Sequence, residues 1–110
     1  MLTGKTAEAS LTTKNFTAEV PLTTKNFNTL YKTLYLAATK WKDIGIFLGL
    51  SPNELEIIKT DESDSHSRLQ GMLMLWLKQI DPKPTKSKMV KVLKELNFTK
   101  ESAELEKQVL

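Results

Sequence analysis

The chain has 110 residues, 40% hydrophobic and 26% charged, with no cysteine. That length and balance fit one modest core and exclude a disordered or membrane-embedded chain, and the missing cysteines exclude a disulfide framework and a thiolate metal site. The net charge of +3 is uneven: +3 over residues 1–50, −3 over 51–82, +4 over 83–98 and −1 over 99–110. Blocks of alternating sign give a small domain faces that attract copies or relatives of itself. A cysteine-free chain suits the reducing cytoplasm, and residues 1–10 lack the apolar centre of an export signal. The longest apolar run, Met72–Leu77, is far short of the ~20 residues that cross a bilayer, so no membrane insertion is expected.

In chain order, the hexapeptide Leu-Thr-Thr-Lys-Asn-Phe occurs at 11–16 and again at 22–27. It could be a docking motif present twice, but Thr, Asn and Lys build cores poorly, and Pro21 separates the copies. Residues 1–23 therefore read as a tail carrying a tandem duplication, and residues 24–110 as the domain. Apolar residues at Phe27, Leu30, Tyr31, Leu34, Ala37 and Ala38 predict a first helix over 26–39. Trp41, Ile44 and Leu48 predict a short second helix closed at Gly49 by a left-handed cap. Ser51-Pro52-Asn53-Glu54 is a start signal for a third helix carrying Leu55, Ile57 and Ile58, with Ser51 capping, Pro52 at the first position and Glu54 completing a capping box.

The polar stretch 60–65 reads as a loop. A fourth helix follows with Leu69, Met72, Leu73, Trp76 and Ile80 on one face, widened by Met74, Leu75 and Leu77, so it is expected at the centre of a bundle. Trp41 and Trp76 lie on apolar stripes and read as core. Asp81-Pro82-Lys83-Pro84 ends this helix. Thr85 caps a fifth with Met89, Val92, Leu93 and Leu96 inward, and Thr99 caps a sixth with Ala103, Leu105 and Val109 inward. No segment alternates with the period of a strand, and the chain is read as all-α.

Trp41, the Leu48-Gly49-Leu50-Ser51 junction, the Ile57-Ile58 pair, Leu73-x-x-Trp76-Leu77, and Thr85 with Val92-Leu93-x-x-Leu96 and Ala103 together resemble the death domain. The resemblance covers roughly residues 27–110. It implies a six-helix antiparallel bundle without enzymatic activity or cofactor. It also implies homotypic contacts with other death domains, self or heterotypic, in intracellular signalling of the apoptotic or innate-immune kind, with helical oligomers as one form of assembly. One position departs from the pattern: Lys86 stands where many death domains have a Trp just after the Thr that opens helix 5.

No residue set suits catalysis or metal binding. His66 is the lone histidine, Thr3-Gly4-Lys5-Thr6 lacks the upstream glycine and preceding strand of a phosphate loop, and Asp61, Glu62 and Asp64 lack the spacing of a calcium loop. The row Lys83, Lys86, Lys88, Lys91 and Lys94 raises the alternative of a small basic helical nucleic-acid-binding protein. It has no arginine for guanine edges and no aromatic row for base stacking, so that reading is second.

By position, the resemblance implies three heterologous contacts. One sets Lys42, Asp43 and Glu54 on helices 2 and 3 against Lys32 and Arg68. A second sets Lys78, Asp81 and Lys83 against Asn97, Lys100 and Glu101. A third sets Glu54, Glu56 and Lys59 against Lys40, Asp61, Glu62 and Asp64.

Overall fold

Six α-helices and no strand make up residues 19–110, the part that the computed structural model describes. They are α1 Phe27–Leu34, α2 Trp41–Phe47, α3 Pro52–Asp61, α4 Ser65–Leu77, α5 Lys86–Glu95 and α6 Thr99–Lys107. The all-α bundle expected from the apolar spacing is the observed fold. Helix α4 is its centre. Leu69, Met72, Leu73, Trp76 and Leu77 are all buried, and α1, α2 and α3 pack around this helix. The pair α5 and α6 packs together and closes the bundle against α1 and α2. Gly45 lets α2 approach closely: a Cβ there would lie 2.8 Å from Leu55 Cδ2 and 3.1 Å from Met72 Cγ.

The helix expected over 26–39 is divided. A 3₁₀ turn over Thr24–Asn26 leads into α1, and a second one covers Tyr35–Lys40. A turn of three residues instead of 3.6 rotates the chain. Ala37, Ala38 and Trp41 thereby all reach the core, while Tyr35 and Leu36 remain outside.

Two of the short loops between helices, α2–α3 and α5–α6, close the same way. At the end of α2, Gly49 has φ +91°, its N–H donates to the Ile46 carbonyl, and the Leu50 N–H reaches the Gly45 carbonyl at 3.0 Å. At the end of α5, Asn97 has φ +66° and the Phe98 N–H reaches the Leu93 carbonyl at 2.7 Å. Each is the paired 6→1 and 5→2 closure that satisfies the last carbonyls of a helix and turns its apolar follower, here Leu50 or Phe98, back onto the bundle. The second closure corrects the cap expected at Thr99. Phe98 occupies the cap position, its carbonyl accepting from the Ser102 N–H, and Thr99 is already helical. Ser51 caps α3 by accepting from the Glu54 N–H at 3.2 Å, and Thr85 caps α5 in the same manner.

A test of the α2–α3 junction follows. Nothing lies within 4 Å of a Cβ on Gly49, so Gly49→Val is penalised by backbone strain alone, about 1–2 kcal/mol. Ser51→Ala should cost about 1 kcal/mol through the lost cap. Urea unfolding should show both as a lower midpoint with an unchanged slope.

Four apolar residues expected inside face outward. Ile57 is 59% exposed because only Leu55 and, partly, Ile58 on α3 point to the core; Ile80 lies past the end of α4 and is 81% exposed. Ala103 is on the outer face of α6, and Val109 follows its end. The start of the chain differs more. Leu22 is 4% exposed, and its N–H donates to the Pro84 carbonyl at 2.8 Å. Residues 19–23, expected in the tail, thus lie against the α4–α5 connection. The first hexapeptide falls outside the described residues.

Candidate functional site

The charged residues carried over from the resemblance divide into those held within the bundle and those left on its surface. Lys42 Nζ meets Glu56 Oε2 at 2.9 Å, a bridge that ties α2 to α3. It holds the Glu56 carboxyl below the usual range, first through that hydrogen bond, then through the charge of Lys42 and lastly that of Lys59. Arg68 donates from Nε to the Glu62 carbonyl at 2.9 Å and from Nη2 to the Lys59 carbonyl at 3.1 Å. It therefore closes the last turn of α3. Asp64 caps α4, accepting from the N–H and the hydroxyl of Ser67, both at 2.9 Å.

Asp43, Glu54 and Asp61 on α2 and α3, and Lys32, Lys40, Lys83 and Lys100 elsewhere, are exposed. No ion pair within 4 Å engages them among the described residues. Two of these sets are brought together by the fold. Lys32 and Leu36 share a groove of about 330 Å³ between α1 and α6 with Lys100 and Glu101, so residues assigned to different contacts line one surface. Glu54 and Lys78 rim a second groove, about 360 Å³, whose floor is Ile57, Ile58, Met74 and Leu75 of α3 and α4. That apolar groove was not anticipated. Its signal is the pair Ile57 and Ile58, of which one helix can bury only one fully. Asp61, Glu62 and Asp64 sit around the α3–α4 connection, and Lys83 lies exposed on the α4–α5 connection.

Asp64 gives a pH-dependent test. Its carboxyl is held below the usual range, mainly by the backbone and side-chain hydrogen bonds from Ser67. A group whose folded value is depressed contributes stability above its unfolded value, about 4, and loses it as pH falls through the folded one. Thermal melts between pH 7 and pH 2 should therefore show Asp64→Asn approaching the parent as the acid limb is descended. A constant gap across that range is the contrary result.

The five lysines around α5 are not a uniform row. Lys86 Nζ donates to the Glu106 and Gln108 carbonyls at 2.9 and 2.7 Å, and Lys94 lies 3.7 Å from Glu106. Lys86, at the position where the family commonly has Trp, thus fastens the end of α6 with a charge. His66 is stacked on Tyr35 with ring centroids 4.1 Å apart, at the end of a ladder running from Phe27 through Tyr31. Among the described residues no group of three or more His, Cys, Asp or Glu side chains could hold a metal ion. No helix there is long and apolar enough to cross a membrane.

The described residues thus form an all-α bundle whose distinctive features are surface charge and shallow grooves. The Death domain family model matches residues 25–106, and the chain belongs to the death-domain family, whose members are protein-interaction modules of death-fold signalling. No match to the chain was found among curated proteins or among solved structures.

Proposed function

We propose that the chain recruits other death domains, copies of itself or relatives, in cytoplasmic signalling of the apoptotic or innate-immune kind, and that it does so without catalysis. The observation that carries this reading is the charge left over once internal pairing is complete. Asp43, Glu54 and Asp61 are exposed on the α2–α3 side, and Lys32, Lys40, Lys83 and Lys100 are exposed on other elements. Exposed acids on α2 and α3 and exposed lysines on other elements favour a heterologous contact, in which one patch of a domain meets a different patch of its neighbour. Such a contact does not close on itself and builds helical oligomers. The shortened lysine row, with Lys86 and Lys94 turned to α6, leaves less for a nucleic-acid phosphate backbone than the sequence offered.

Light scattering against protein concentration tests this. The expected mass rises with concentration without nucleic acid and falls back toward the monomer at high salt. A monomer at every concentration that binds duplex DNA with a steep salt dependence overturns the reading.

A further inference from the structure

The duplicated segment is longer than the hexapeptide. Residues 6–16 read TAEASLTTKNF and residues 17–27 read TAEVPLTTKNF: eleven positions in direct tandem, differing only at Ala9/Val20 and Ser10/Pro21. The structure shows what the second repeat does. The Ser87 N–H, in the first turn of α5, donates to Glu19 Oε2 at 3.0 Å. The Leu22 side chain enters the core while its N–H meets the Pro84 carbonyl at 2.8 Å. Thr23 and Asn26 cap each other, Asn26 Oδ1 accepting from the Thr23 N–H at 2.9 Å and Thr23 Oγ1 from the Lys25 N–H at 3.2 Å. Phe27 stacks on Tyr31 with centroids 5.9 Å apart.

Each of these contact residues has an identical counterpart in the first repeat: Glu8, Leu11, Thr12, Asn15 and Phe16. The two positions that differ are exposed in the second repeat, Val20 at 75%. Glu19 and Leu22, the two residues that reach the α4–α5 connection and the start of α5, are thus both matched in the first repeat, and the two differences fall at exposed positions.

We propose that the edge of the bundle formed by Pro84 and Ser87 is a peptide-binding seat whose ligand is this eleven-residue repeat, and that the first repeat competes in the same chain for the seat held by the second. The second is favoured because it runs directly into α1, whereas seating the first makes residues 17–27 a loop. Loop closure grows only slowly with length, so the exchange remains accessible. A tether this short presents the first repeat at an effective concentration on the order of millimolar, which favours seating in its own chain over seating in a neighbour. The exchanged state renews the Ser87 and Pro84 contacts and the core burial through Glu8 and Leu11, and releases Glu19 and Leu22.

The absence of cysteine makes the test direct. Full-length chains carrying Glu19→Cys with Ser87→Cys, Glu8→Cys with Ser87→Cys, or Gly4→Cys with Ser87→Cys are treated with a short bis-maleimide, and intramolecular cross-linking is followed by mass. The Glu19 pair should react fastest. The Glu8 pair should react more slowly, yet about tenfold faster than the off-register Gly4 pair, since only a seated segment has a raised local concentration. Adding Leu11→Ala should bring the Glu8 pair down to the Gly4 rate. Adding Leu22→Ala should raise it, with circular dichroism confirming that the helices persist. Equal rates for the Glu8 and Gly4 pairs, or a Glu8 rate indifferent to Leu11→Ala, overturn the proposal. Cross-linked dimers in place of monomers overturn it as well, because they place the first repeat on a second copy.

Discussion

Trp76→Ala should lower the stability of the domain by about 3–5 kcal/mol, the range for removing a large aromatic side chain from a packed core. Trp76 is 2% exposed and lies near the C-terminal end of α4, the helix against which α1, α2 and α3 all pack. Helix α4 packs against three other helices, so shifting it to fill the void would cost contacts elsewhere, and the upper part of the range applies. With domain stabilities of about 5–15 kcal/mol, the variant should populate the unfolded state measurably at 37 °C. Trp76→Phe keeps most of the apolar volume and should lose less. Chemical denaturation decides the matter, and a Trp76→Ala midpoint equal to the parent's would show that the ring is not a core element.

The helices were legible because their apolar spacing is local. Leu69, Met72, Leu73 and Trp76 recur at three and four residues, and all four are buried. The α2–α3 junction was legible for the same reason, since Gly49, Ser51 and Pro52 each impose a backbone or capping preference within a few residues of themselves. What local spacing cannot give is the partner of a residue far along the chain. Leu22 reads as an isolated apolar residue among threonines until the Pro84 carbonyl, 62 positions later, gives its N–H an acceptor. Thr99 looks like a cap, yet Asn97 adopts a left-handed conformation and brings Phe98 into that place first.

The charged surface was less legible than the core, and for a related reason. Lys42 and Glu56 are fourteen residues apart and share one bridge between α2 and α3. Arg68 reads as a free cation in sequence, but it is bound to two carbonyls at the end of α3, and Lys86 is bound to two near the end of α6. A charge held this way stabilises its own bundle and offers less to a neighbour. Sequence gives the sign of a patch, whereas the fold decides which charges remain available.

That distinction shapes the assembly experiment. Reversing Glu56 would place a lysine beside Lys42 in the same molecule, so a loss of assembly could reflect damage to the α2–α3 link. Asp43 and Glu54 are exposed on that side without an ion pair among the described residues. Asp43→Lys with Glu54→Lys should weaken self-association by about 100-fold or more, because like charges opposed across an interface cost several kcal/mol. Exposed charges add little to folding, and the melting temperature should stay close to the parent's. The complementary change, Lys32→Glu with Lys40→Glu, should abolish self-association equally. Mixing the two variants then separates pairing from damage. In an alternating assembly, the reversed α2–α3 face of one variant meets the reversed basic face of the other, and the unreversed faces meet as in the parent. Every contact is again between opposite signs, so the mixture should assemble where neither variant does alone, and high salt should weaken it as it weakens the parent. If the Asp43 and Glu54 variant assembles as well as the parent at low salt, the α2–α3 face is not the contact. If both variants fail and the mixture fails with them, the two faces do not pair with each other.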